Sequence, residues 1–157
     1  MIKAIKNMEY VADERDLEII RELRKNSRRS FRELSRAIGI SPAALINRIK
    51  KLENDDIILG YDAKINFYKL GYDFMGLIQV NINKGALLSV QEKIAVMPGV
   101  VAVYDITGEY DSMAIVFCKS RSEMSSLIKK INKITEVRKT NTSIILNVVK
   151  RMDDFQI

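Results

Sequence analysis

Ser30-Phe-Arg-Glu-Leu-Ser-Arg-Ala-Ile-Gly-Ile-Ser-Pro-Ala-Ala-Leu-Ile-Asn-Arg-Ile-Lys-Lys-Leu-Glu53 decides how the first part of the chain folds. Ser30 and Glu33 form a capping box, in which the serine hydroxyl accepts one free N–H of a helix start and the glutamate reaches back for another. The helix they open carries Leu34, Ala37 and Ile38 inward. It stops at Gly39, the residue type that closes helices in the left-handed conformation. Ser41-Pro42 restarts a helix at once, with Ser41 as N-cap and Pro42 in the first helical position. Two helices meeting across the Gly39-Ile40 turn are a helix-turn-helix. Upstream, Asp13 caps a first helix whose apolar positions are Leu17, Ile20 and Leu23, with Ile19 alongside.

The third helix runs from about Pro42 to Asp55. Successive residues about 100° apart put Leu45, Ile49 and Leu52 on a buried face. The opposite face presents Ala43, Asn47 and Lys50, flanked by Ala44 and Lys51. Small residues near the N-terminus, with Ser41 as cap, let such a helix come close to base edges. Asn47 can make a paired contact with adenine, and the lysines can reach phosphate or guanine. Arg48 falls nearer the buried side, where phosphate contact from the rim and pairing with a carboxylate are both open. Arg28, Arg29, Ser30 and Arg32 sit where the second helix would cross a DNA backbone.

Charge gives this shape a partner. The chain of 157 residues has 26 Lys plus Arg against 20 Asp plus Glu, a net +6. Ten basic residues from Arg21 to Lys51, opposed there only by Glu22 and Glu33, carry +8, so the remainder is at −2. A basic block inside a balanced chain is the footprint of a polyanion partner.

From Ile57 to Asn66, β-prone residues around Gly60 predict a short turn and strand leading out of the DNA module, which covers residues 1–60. Residues 61–70 form a linker without a proline or serine tract, and so not a loose tether. Residues 71–157 then change period. Strands are predicted at Tyr72 to Asn83, Val100 to Thr107, Ser112 to Cys118 and Glu136 to Lys150. Helices are predicted at Ala86 to Val96 and after a second capping box, Ser120-Arg-Ser-Glu123. The last strand alternates through Thr140, Thr142, Ile144, Leu146 and Val148. The class is therefore α+β: a winged-helix-like helix-turn-helix domain followed by a ferredoxin-like βαββαβ sandwich. One face of that sheet carries no helix, and apolar residues there invite a second subunit.

Composition removes whole classes of chemistry. With 47% hydrophobic and 29% charged residues the chain reads as a globular protein. No histidine is present, so there is no Ser-His or Cys-His pair, imidazole base or imidazole metal ligand. The single cysteine, Cys118, ends the apolar run Met113-Ala-Ile-Val-Phe-Cys118 and is expected as a buried core thiol. That run is too short to span a bilayer. Lys3 and Lys6 hint at a leader, but Asp13, Glu14, Arg15 and Asp16 arrive before any apolar region, so no signal peptide is expected. Glu109 and Asp111 share one loop, and Asp105 precedes it. Without a metal partner these suggest turn chemistry, or a loop whose N–H groups hold the carboxylate of a small zwitterion while Asp111 holds its ammonium. The expectation is a cytoplasmic protein that is not an enzyme, with neither metal nor cofactor.

Several blocks together resemble the Lrp/AsnC (feast/famine) transcription regulators. They are Asp16-Leu-Glu-Ile-Ile-Arg-Glu-Leu23, Ser30 to Pro42, Arg48-Ile-Lys-Lys-Leu-Glu53, Ile57-Ile-Leu-Gly-Tyr61, Met97-Pro-Gly-Val100 and Thr107-Gly-Glu-Tyr-Asp111. The resemblance runs from about Asp13 to Lys150 and leaves Met1 to Ala12 outside a clear match. It implies a regulator that binds double-stranded DNA through its N-terminal domain. It also implies homodimers that assemble further, commonly to octamers, with an amino-acid effector held between dimers near the Gly-x-x-Asp loop. By position that nominates Gly108, Glu109, Tyr110 and Asp111, with Thr140 and Thr142 near the cleft. Two third helices would then enter successive major grooves about 34 Å apart. A low-specificity, chromatin-like DNA binder is the alternative reading. The siroheme decarboxylases share the two-module architecture, but they rely on histidine near the tetrapyrrole, and this chain has none.

Overall fold

The structure is a computed structural model whose described residues are 11–150 and Phe155. The basic N-terminal stretch with Lys3 and Lys6 lies outside them. The chain divides into two compact units, parting between Lys64 and Ile65, with Phe155 grouped with the first.

In the first unit, α1 (Glu14–Lys25), α2 (Phe31–Ile38) and α3 (Pro42–Asn54) follow the sequence signals closely. Asp13 and Asp16 cap α1 reciprocally: the Asp16 N–H donates to Asp13 Oδ1 at 2.9 Å, and the Asp13 N–H to Asp16 Oδ2 at 3.0 Å. The Ser30–Glu33 box opens α2 in the same way. Gly39, at φ 76° and ψ 34°, closes it in the left-handed region that a Cβ disfavours. Ser41 accepts the Ala44 N–H at 3.2 Å, and Pro42 starts α3. The core of this unit is Ile19, Leu23, Leu34, Ile38, Leu45, Ile49 and Leu52. Ala37, expected inward, is exposed, and Ser35 is buried in its place, its hydroxyl donating to the Arg32 carbonyl at 3.1 Å.

The strand expected over Ile57 to Asn66 does not form. Asp56 at φ 56° ends the helical run, and the N–H groups of Ile57 and Ile58 both return to the Leu52 carbonyl. Ile58 then packs on the core while Leu59 and Tyr61 face outward. A strand needs a ladder partner, and among the described residues this unit has no other strand. The interval 61–70 ends in an ordered element, a turn of 3-10 helix at Phe67–Leu70, capped by Asn66 and closed by Gly71.

The second unit runs β1 (Phe74–Ile82), α4 (Leu87–Ala95), β2 (Val100–Asp105), β3 (Ser112–Cys118), α5 (Arg121–Asn132) and β4 (Val137–Ile144). The sheet order is β2-β3-β1-β4, with every neighbour antiparallel. Gly76, Ile78, Val80 and Ile82 alternate onto one face with Ser112, Ala114, Val116 and Cys118. Val90 and Ile94 of α4, with Met124, Leu127 and Ile131 of α5, cover that face. Cys118 is buried, as expected, and the surrounding apolar wall pushes its thiol pKa up. The other face carries Leu77, Met113, Ile115 and Phe117, half-buried. Phe67 stands edge-on to Phe117 there, with ring centres 5.6 Å apart.

Two further expectations change. At Ser120 only half of the capping box forms: the hydroxyl accepts the Glu123 N–H, but the Glu123 carboxylate takes the N–H of Lys119 instead. β4 stops at Ile144 and does not reach Lys150. In its register Gly76 faces Ile144, so Leu146 falls opposite Phe74, the first residue of β1, and from Asn147 on the chain runs past that strand with no ladder partner.

Candidate nucleic-acid interface and effector loop

On α3 the buried stripe of Leu45, Ile49 and Leu52 leaves Ala43, Ala44, Asn47, Lys50 and Lys51 exposed. Small residues occupy its first turn, next to the Ser41 cap, with no acidic side chain among them. Arg32 is exposed on α2. Arg28, Arg29 and Arg36 line an open cleft of about 590 Å³ with Asn26, Glu33 and Ala37. Arg36 belongs to the basic block, yet its place in this cleft depends on how the Asn26–Ser30 turn folds over α2.

Some of these groups are already engaged. Ser30 accepts the Glu33 N–H at 3.3 Å and donates its hydroxyl to Glu33 Oε2 at 2.8 Å. The hydroxyl bond, together with the Ser30 N–H donating to the same oxygen at 2.9 Å, holds the Glu33 carboxyl below its ordinary range. Glu22 takes Lys25 and Arg29 together, Lys25 being the larger cause of its lowered pKa. Of the two roles open to Arg48, the carboxylate pair is the one formed. Its Nη1 lies 3.0 and 2.8 Å from the two oxygens of Asp13 and 2.8 Å from Asp16 Oδ1.

In the second unit the β2–β3 connection turns at Gly108, φ 118°. Asp111 donates its N–H to the Val80 carbonyl at 3.1 Å. Its Oδ2 accepts the Ile82 N–H at 2.7 Å, where β1 extends beyond the first residue of β3. One oxygen of the carboxylate expected to hold an ammonium is therefore committed to the backbone. The Glu109 carbonyl accepts from Asn81 Nδ2 at 3.0 Å, and its carboxylate meets Lys139 Nζ at 2.7 Å. The same ammonium sits 5.0 Å from the Tyr110 ring centre. Glu109, Tyr110 and Asp111 are thus pinned to β1 and β4 through Asn81, Ile82 and Lys139.

Thr140 and Thr142 do not join this cluster. Thr140 donates its hydroxyl to Asn132 Oδ1 at 2.9 Å. Thr142 lines a separate cleft of about 540 Å³ between α5 and the edge strand, over Phe74, Met124, Ile128 and Ile144. Asn81 and Lys139 were not among the expected residues. They face each other only because of the β1–β4 register, which the sequence does not display.

A helix-turn-helix module joined to a ferredoxin-like sandwich defines a class of two-domain DNA-binding regulators. Residues 13–58 match a winged helix-turn-helix DNA-binding family, and residues 76–155 match the Lrp/AsnC ligand-binding domain. An uncharacterised HTH-type transcriptional regulator of Pyrococcus abyssi is 37% identical over 145 residues, covering 92% of this chain and 97% of its own. The structure of Escherichia coli AsnC superposes with a TM-score of 0.84 at 28% identity, covering 92% of this chain and 99% of that one. A Neisseria meningitidis transcriptional regulator, crystallised as its L-methionine complex, shares the fold at TM-score 0.84 and 24% identity, over 90% of this chain and 94% of that one. This chain belongs to the Lrp/AsnC family of HTH-type transcriptional regulators.

Proposed function

We propose that the protein is a sequence-specific DNA-binding regulator that reads duplex through α3 and answers to an amino-acid-like effector. The observation that carries the reading is the exposed face of α3. Asn47 and two lysines stand on it beside two alanines, inside the chain's +8 block. Ala43, Ala44, Asn47, Lys50 and Lys51 approach the major groove, while Arg28, Arg29 and Arg32, with the caps Ser30 and Ser41, meet the flanking phosphates.

For the effector, the family's ligand-binding domain and the L-methionine complex of the Neisseria regulator support an amino-acid-like ligand, and the Gly108–Asp111 loop is where we place it. The loop here offers Glu109, already tethered to Lys139, and the free oxygen of Asp111. An effector ammonium would compete with Lys139 for Glu109.

A homodimer through the helix-free sheet face, with further assembly toward an octamer, presents paired α3 helices to one side of the duplex. The protein acts in the cytoplasm, where the DNA is, and not as an enzyme. Among the described residues no helix is long and apolar enough to cross a membrane.

Fluorescence anisotropy with a duplex from the gene's own upstream region and an unrelated duplex, across a salt series, tests the reading. Tighter binding to the first, with a steep salt slope, supports a sequence-specific autoregulator. Equal binding supports the chromatin-like alternative, and no binding to either duplex at low salt removes the DNA reading.

A further inference from the structure

We infer that Arg48 serves DNA recognition from inside the first unit, as a positioning residue that fixes α3 against the first turn of α1, and not as a DNA contact. The inference rests on the reading of α3 as the DNA-reading helix. Arg48 follows Asn47 directly, so whatever holds one sets the bearing of the other. Its Nη1 touches both oxygens of Asp13 and Oδ1 of Asp16, all within 3.0 Å. Asp16 is fully buried. Its other oxygen is spent on the Asp13 N–H, and Asp13 Oδ1 accepts the Asp16 N–H in return.

Two carboxylates crosslinked through the cap of α1 thus form a rigid seat for one guanidinium. Withdrawing Arg48 toward a phosphate would strip a cation from a buried carboxylate, which is costly. The pair also holds the Asp13 carboxyl below its ordinary range and raises the Arg48 guanidinium.

The same turn of α1 reaches the other helix of the motif. Arg15 Nη1 donates to the Ile38 carbonyl at 3.2 Å, at the end of α2. One turn of α1 therefore ties down both helices of the motif, α2 through Arg15 and α3 through Arg48. Base readout needs placement of Asn47 to within about 0.5 Å, which a seat of this kind provides.

Charge gives the test a sign. Asp13→Asn removes an anion from a basic module, which by electrostatics alone tightens binding to any duplex. If the seat positions α3, the same substitution weakens the preferred duplex. The experiment uses the full-length chain, a duplex enriched by the wild type from a random pool, a scrambled control, and anisotropy at several salt concentrations.

Asp13→Asn and Arg48→Met are each expected to lower the preference for the enriched duplex about tenfold. The salt slope on the control duplex stays at the wild-type value. Arg48→Lys recovers part of the preference. The double variant is no worse than Arg48→Met alone, because both remove one interaction. The inference is overturned if Arg48→Met weakens both duplexes alike and reduces the salt slope by about one phosphate contact. It is equally overturned if Asp13→Asn tightens both. Should Arg48→Met fail to fold by circular dichroism, Asp13→Asn decides alone, since the Asp13 side chain is 53% exposed. A wild type that enriches no duplex fails the DNA reading itself, and this inference with it.

Discussion

Asn47 carries the sequence reading at the scale of single residues. Exposed on α3 and flanked by small residues toward the helix start, it can donate and accept at one adenine edge. Asn47→Ala should lose about 1–3 kcal/mol of discrimination at one base position while sparing affinity for unrelated duplex. A uniform loss on every sequence would contradict that assignment. Arg28→Ala should instead weaken all duplexes alike and flatten the salt slope by about one unit. Asp111 is a residue whose role shifted once its surroundings were known. Its carboxylate holds the Ile82 N–H, so Asp111→Ala should speed amide exchange at Ile82 as well as weaken any effector response. Unchanged exchange at Ile82 would show that this bond does not hold the loop.

At the scale of elements, local chemistry was well written in the sequence. The caps at Asp13, Ser30 and Ser41 and the stop at Gly39 are short-range signals, and each falls where the residues place it. Leu45→Ala should cost about 2–5 kcal/mol by urea unfolding, because α3 hangs on a stripe of fully buried side chains. Strand limits were less legible, because a strand exists only where a partner does. Ile57 to Asn66 has β-prone residues and no ladder to join, and the alternation after Leu146 outruns β1. The same cause hid Lys139 and Asn81, which meet the effector loop through a register set by long-range pairing. Arg48 shows an intermediate case. Helical spacing gave its side of α3, and only the folded cap of α1 showed which carboxylates wait there.

At the scale of the whole molecule, the missing histidines shape the response to pH. Asp13, Glu22, Glu33 and Glu136 are held below their ordinary values by hydrogen bonds and neighbouring cations. Their contribution is complete above the ordinary carboxylate range, about pH 4–5, and is lost as pH falls through the lowered values. On the alkaline side, burial and the Glu53 contact push Tyr61 up to about 12, and burial raises Cys118. Groups with raised values stabilise the fold below their ordinary pKa and lose that contribution as pH climbs through the folded one. The melting temperature should therefore be flat from about pH 5.5 to 8.5, falling on both sides. A step near pH 6–7 would contradict this, since no side chain here ordinarily titrates in that window.

Paired α3 helices reading a specific duplex would draw on the residue, the element and the whole molecule together. Selection from a random duplex pool by the full-length wild-type chain, followed by sequencing, tests it most directly. The expected result is enrichment of a semi-palindromic motif with half-sites about one helical turn, or 10 base pairs, apart. A pool that stays unenriched while the protein binds it strongly at low salt would contradict specific readout and leave a duplex binder without sequence preference.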